Sequence, residues 1–229
     1  MSAETLEKAV AKPAEPILSK RRKKLITDPL VDDNPVTVQV LGICSALAVT
    51  TQMKPTLVMA ISVIFVVAMS NLVISLMRNT IPSRVRIIVQ LAVVATLVTL
   101  VSEILKAFAY DMYKELSVFI GLIITNCIVM GRLEAFALGN GPWKSFLDGI
   151  GNGLGYGIIL MIVAFFRELL GSGKIFGIEI LGNAVDKTGA YAHGYVNNGF
   201  MLLAPMALVT VGIIIWVQRG INKKLIEKK

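Results

Sequence analysis

Leu41-Gly42-Ile43-Cys44-Ser45-Ala46-Leu47 and Thr125-Asn126-Cys127-Ile128-Val129-Met130 each place a cysteine near the middle of a short apolar run. They are the chain's two cysteines, and from 44 to 127 they stand 83 positions apart, close to half of its hydrophobic part. Two thiols set alike in two halves suggest a repeated structure and a repeated ligand.

The surrounding composition sets the class. Of 229 residues 55% are hydrophobic and 17% charged, and the charges gather at the ends and in short stretches between long apolar runs. Runs of roughly 20 residues match helices that cross a bilayer core. A soluble helix would carry a polar face at period 3.6, which these runs lack. The expected fold is an all-α integral membrane protein with six segments: 36–53, 56–77, 85–108, 117–131, 149–170 and 200–218. The net charge of +8 fits the basic bias of cytoplasmic membrane loops better than a nucleic-acid partner. Residues 1–33 form a polar, basic tail with the cluster Lys20-Arg21-Arg22-Lys23-Lys24. They lack the apolar core and cleavage site of a signal peptide and read as a flexible or surface-bound cytoplasmic segment ahead of a membrane domain over 34–229.

Counting Lys and Arg orients the chain. With the N-terminus inside, the inner stretches carry 17 of the 23 basic residues, which places both termini in the cytoplasm. Trp143, Trp216, Tyr110 and Tyr113 then fall where interfacial aromatics are expected. The glycine-rich stretch 171–199, with the sole histidine, His193, faces outward. Three segments followed by three have opposite senses in the membrane. Cys44 lies nine residues after Pro35, about 13–14 Å along a helix, and Cys127 ten residues after Ser117, about 15 Å. Both distances reach the midplane of a core about 30 Å thick. Segments 1 and 4 are short or half-spanning. Short, interrupted segments at matching positions are the sequence sign of inverted repeats with a midplane site; the repeats cover about 34–110 and 115–218.

Two midplane thiols have a bland reading, because free cysteine packs as a small apolar residue. A disulfide has little reason to be there, and a closed zinc site gains little inside stable membrane helices. An iron–sulfur cluster needs four thiolates. This chain offers two, so the rest of such a site has to come from another chain, most simply a homologous one.

Both cysteine stretches, extended to Leu41–Thr50 and Gly121–Arg132, resemble signature sequences of one family. It comprises the D subunits of bacterial Na⁺-translocating NADH:quinone oxidoreductases and the E subunits of Rnf complexes. Val85-Arg86-Ile87-Ile88-Val89-Gln90, the run Asp148–Gly157 and the run Phe165–Gly173 resemble it too, and the likeness extends from about Asn34 to Trp216. Ser45-Ala46-Leu47 and Gly153-Leu154-Gly155-Tyr156-Gly157 are more similar to the quinone-reductase branch. The resemblance implies that Cys44 and Cys127 are cofactor and metal ligands of an iron–sulfur centre, of the 2Fe-2S type. That centre lies on a pseudo-two-fold axis and is shared with an E-type sister subunit. The resemblance also implies electron relay across the midplane coupled to Na⁺ translocation in a bacterial inner membrane, with flavins, NADH and quinone on other subunits. On this reading the chain works within a translocase, without catalysis of its own. The alternatives are membership of an Rnf-type ferredoxin:NAD oxidoreductase and an inverted-repeat ion transporter with structural cysteines.

The remaining marked residues have structural readings. Gly149, Gly151, Gly153, Gly155 and Gly157 superficially match a dinucleotide loop, but no strand precedes them, and close helix packing explains them better. Arg167-Glu168 reads as a helix-end ion pair or interfacial anchor. Glu103 and Lys106 can pair at i, i+3, and Asn71 reads as a helix–helix hydrogen bond. A direct Na⁺ role for Asn71 or Glu103 is the functional alternative.

Overall fold

Apolar residues all around a helix leave it no polar face, so it must sit in lipid or in protein. The stretch Met53-Lys54-Pro55 through Met77 has this character. In the computed structural model, which describes residues 25–30, 33–82, 84–176, 178–179 and 199–221, it forms a 25-residue helix. The basic cluster at 20–24, His193 with most of the long loop, and residues 222–229 lie outside the described residues.

In chain order, α1 is Ile43–Val49, α2 Met53–Met77, α3 Arg86–Phe108 and α4 Tyr110–Ile124. Next come α5, Cys127–Arg132, a π-helical turn over Leu133–Ala137, and α6, Pro142–Ser172. A two-residue β1, Lys174–Ile175, pairs antiparallel with β2, Ile178–Glu179. A 3-10 turn, Gly199–Leu202, leads into α7, Ala204–Ile221. Among the described residues five helical stretches are long and apolar enough to cross a membrane: Met53–Met77, Arg86–Phe108, Tyr113–Ala137, Pro142–Ser172 and Ala204–Ile221. At 25 residues, α2 runs about 37 Å, enough to cross a core of about 30 Å.

The first of the six expected segments differs. Residues 34–42 run in turns, and α1 is seven residues long, about 10 Å by the helical rise. The fourth expected segment is longer than 117–131 and broken: the helix stops at Ile124 and restarts at Cys127. The fifth starts earlier than expected, at Pro142.

The core forms where α2 lies along α6, the most extensive packing in the fold. The glycines of α6 permit it on two faces. A Cβ on Gly149 would come 2.8 Å from Ala68 Cα, one on Gly153 2.9 Å from Ile64 Cα, and one on Gly157 3.3 Å from Ala60 Cβ. These three, spaced by four, face α2. Gly151 and Gly155 face the N-terminal segment instead, against the carbonyl oxygens of Leu25 and Pro29. Asn34 fastens that segment. Its Nδ2 donates to the Gly155 carbonyl at 3.1 Å, and its Oδ1 accepts from the Val36 and Thr37 amides at 3.0 and 3.3 Å. Small residues that let backbones touch are the usual basis of helix association in lipid.

Polar ties close the other end of the bundle. Asn71 Nδ2 of α2 donates to the Ser145 carbonyl of α6 at 3.2 Å, the helix–helix bond expected of it. Ser75 Oγ donates to the Asn140 carbonyl at 2.6 Å. Arg132, ending α5, forms a bidentate pair with buried Asp148 of α6; its Nε donates to Oδ2 at 3.0 Å, and its Nη2 meets Oδ1. Glu134 pairs with Arg86 and accepts from Gln90 Nε2 of α3 at 3.2 Å. Glu103 and Lys106 are exposed and do not pair with each other. Outside the core, α3 and α7 present apolar surface, including Ile87, Ile88, Phe108, Ile213 and Trp216.

The glycine faces generate a stability prediction. Gly153→Val forces a branched side chain into the Ile64 backbone and is expected to destabilise by about 1–3 kcal/mol. Gly121→Ala meets open space and should be near neutral. Thermal unfolding of the purified chain in detergent, read by intrinsic fluorescence, compares them; equal midpoints would refute the packing role.

Candidate cofactor site at two helix starts

The two cysteines occupy corresponding places in local structure. Cys44 is the second residue of α1 and Cys127 the first of α5. Each follows non-helical backbone. Before α1 the chain turns through Gly42, with φ of 75°, a left-handed conformation that costs glycine nothing. A Cβ there would also strike Ile128 Cδ1 at 2.6 Å and Tyr156 Cε2 at 3.1 Å. Before α5 the chain extends through Asn126, whose Oδ1 caps the new helix by accepting from the Ile128 amide at 3.2 Å. Asparagine is among the preferred N-caps because its side chain satisfies one of the orphan amides of a helix start.

The structure brings both predicted residues to one cleft. Gly42, Cys44, Ser45, Leu122, Thr125, Asn126 and Cys127 line a cavity of about 140 Å³. Both thiols are free and exposed. Beneath them is a buried hydrogen-bond cluster. Ser45 Oγ lies 2.9 Å from the Gly42 carbonyl, 2.6 Å from Tyr156 Oη and 3.3 Å from Asn126 Nδ2. Serine has one proton to give. With that proton on the Gly42 carbonyl, Tyr156 and Asn126 donate to the two lone pairs of Ser45.

As an iron–sulfur site the cleft is half of one. Two exposed thiols suit thiolate ligation, but four are needed. Among the described residues no group of three or more His, Cys, Asp or Glu gathers to hold a metal. The cleft is open rather than closed over the thiols, so further ligands can approach from another chain.

Sequence reasoning missed two arrangements near the site. The first is Arg132–Asp148, which ties the far end of α5 to α6. The second is Arg167, expected with Glu168 as a helix-end ion pair or interfacial anchor. Arg167 is fully buried, and its five hydrogen-bond acceptors are all uncharged. Nη1 reaches Thr50 Oγ1 at 2.6 Å and the Leu47 carbonyl at 3.3 Å, both at the C-terminal end of α1. Nε and Nη2 reach the carbonyls of Met201, Leu202 and Leu203 at 3.2, 2.7 and 3.4 Å. One guanidinium thus joins α6, the end of the cysteine-bearing α1 and the turn before α7. Glu168 accepts from the Met53 amide at 2.5 Å, at the start of α2. The available signal was an arginine inside a membrane run, five residues before the end of α6 at Ser172.

These features define a polytopic α-helical membrane protein in which two short helices present thiols at a common cleft. The chain belongs to the Rnf-Nqr family: the family model described as "Rnf-Nqr subunit, membrane protein" matches residues 22–215. It is 56% identical to the D subunit of the Na(+)-translocating NADH-quinone reductase of Photobacterium profundum, over 92% of this chain and 98% of that protein. The D subunits of the same name from Haemophilus ducreyi and Pasteurella multocida are each 56% identical, over 90% and 92% of this chain and 97% and 99% of theirs. Those relatives are subunits of a translocating reductase, so the reaction belongs to a complex rather than to one chain.

Two substitutions probe the buried charges. Arg132→Met leaves Asp148 buried without its partner and should cost about 3–5 kcal/mol, whereas the double change Arg132→Met, Asp148→Leu should recover most of that loss. The yield of monodisperse protein on size exclusion, with its thermal midpoint, checks both. A double variant no better than the single one would refute the pairing energetics.

Proposed function

We propose that this chain is the D-type membrane component of a Na⁺-translocating NADH:quinone reductase. In this reading Cys44 and Cys127 supply half of the ligands of an iron–sulfur cluster of the 2Fe-2S type. The other half comes from a homologous E-type sister subunit, which covers the cleft. The single observation that carries this reading is the placement of both thiols, free and exposed, at one cavity. Their convergence on one cleft beside the Ser45–Asn126 hydrogen bond favours a ligand role over structural cysteines. The identity to the reductase subunits supports the quinone-reductase assignment over the Rnf one.

When bound, such a cluster supplies one-electron acceptance and release at membrane depth. This chain's own residues hold and orient. Cys44 and Cys127 bind as thiolates, a state that ligation to metal enforces even where the medium disfavours charge. Asn126 and Ser45, adjacent in sequence to the two thiols, fix the helix starts from which they project. Leu122 contributes an apolar wall to the cleft. The chain sits in a bacterial inner membrane with both termini cytoplasmic, as the basic-residue asymmetry argues. Its membrane domain is built as two inverted three-helix repeats over about 34–110 and 115–218, in which α1 and α5 correspond. Flavins, NADH and quinone are held by the other subunits.

Cys44→Ser and Cys127→Ser, each introduced into the whole complex, are expected to abolish its share of iron and acid-labile sulfide at this site and to stop NADH-driven quinone reduction. The complex should still assemble. Iron content and turnover unchanged in both variants would end the ligand assignment.

A further inference from the structure

Tyr156 stands in the run Gly153-Leu154-Gly155-Tyr156-Gly157, on a helix that carries neither cysteine. Its side chain is fully buried, and its hydroxyl is 2.6 Å from Ser45 Oγ. Ser45 directly follows Cys44. Ser45 also receives Asn126 Nδ2 at 3.3 Å, and Asn126 directly precedes Cys127. One serine oxygen is therefore the point where the two thiol-bearing helix starts and α6 meet. Its hydrogen-bonding capacity is full: one proton given to the Gly42 carbonyl, two lone pairs taken by Tyr156 and Asn126.

Shape reinforces the bonds. The Tyr156 ring and the Ile128 side chain both crowd Gly42, two residues before Cys44, closely enough that a Cβ at Gly42 would clash. Asn126 caps α5 with its Oδ1 while its Nδ2 holds Ser45, so turning the amide over to suit one partner would lose the other. The Ser45–Asn126 bond links the start of α1 directly to the start of α5 at the cleft.

Resting on the proposed ligand role of the cysteines, we propose that Tyr156 is a positioning residue, setting the mutual placement of Cys44 and Cys127 through Ser45 and Asn126 before any cluster is bound. The tyrosine acts through the serine and not on the thiols themselves. It anchors the shared serine to the rigid, glycine-packed α6, so that both thiols start from one fixed point. A chain so arranged offers its sister a preformed half-site instead of two independently moving ligands.

The test reads thiol placement directly, in the full-length chain purified in detergent without iron. A short bifunctional methanethiosulfonate is added, and intact mass separates an internal Cys44–Cys127 bridge from two single adducts. The wild-type chain should bridge. Tyr156→Phe, which removes one hydrogen bond, should lower the bridged fraction roughly three- to tenfold, and Ser45→Ala, which removes all three bonds of the shared hydroxyl, should lower it at least as much. Ser45→Thr, which keeps the hydroxyl, should bridge as wild type does. Alkylation of each thiol by a monofunctional maleimide, measured in single-cysteine backgrounds, should stay the same throughout. A bridged fraction unchanged in Tyr156→Phe and Ser45→Ala would overturn the proposal, as would a wild-type chain that does not bridge. An equal fall in Ser45→Thr and Ser45→Ala would also overturn it, because packing rather than the hydrogen bond would then be responsible. Should Tyr156→Phe fail to fold, the Ser45 pair decides. Iron in the Cys44→Ser complex is measured separately: retained iron there ends the ligand reading, while the bridging ratio still judges the placement.

Discussion

A polypeptide that interrupts its helices within a bilayer has to satisfy the freed backbone groups without water. The rest of this structure is organised around two such non-helical points, the turn at Gly42 from which α1 starts and the break at Thr125-Asn126 between α4 and α5. Each is closed by side chains. Asn126 caps the Ile128 amide, Ser45 takes the Gly42 carbonyl, and Arg167 collects the Leu47 carbonyl at the other end of the same short helix. Because closing the breaks uses residues next to the cysteines, the thiols inherit their positions from it. Functional breaks in membrane helices commonly line a cavity, and here both open onto the same one.

The second requirement is close backbone approach. Five alternating glycines let α6 lie against α2 on one face and against the segment leading to Asn34 on another. Between those two faces Tyr156 is carried inward to Ser45. The same ladder that lowers the helix-forming preference of this stretch is thus what brings a hydroxyl to the cleft. Arg132–Asp148 and Asn71–Ser145 clamp the first turns of α6, directly ahead of the glycine run, so the helix that anchors the site is tied to both α5 and α2.

Much of the fold was legible because hydropathy in a membrane protein reports directly on solvent. The expected segments 56–77 and 85–108 lie within a few residues of α2 and α3. Errors came where polar groups satisfy one another. The sequence between Pro142 and Asp148 looks like a loop, yet it is helical, since Asp148 meets Arg132 and Ser145 meets Asn71. The position of the break in the fourth segment was not legible, because hydropathy does not register where a backbone leaves the helix. The asparagine ahead of Cys127 was the local sign of a new helix start. For Arg167 no local pattern tells that five neutral oxygens from α1 and the turn before α7 converge on it.

The sequence by itself determined the class, the apolar spans, the two-cysteine count and hence that any four-thiolate site must be incomplete in this chain. Those properties follow from composition and covalent order, which no packing arrangement can alter. Only the tertiary structure decided that Cys44 and Cys127 begin two short helices on one cleft, that Tyr156 and Asn126 converge on Ser45, and that Arg167 joins α1 to α6. Such convergence depends on the directions of side chains from elements far apart along the chain. Those directions are set by the close approach of helices at glycine and by the closing of each buried break, neither of which is encoded at any single position.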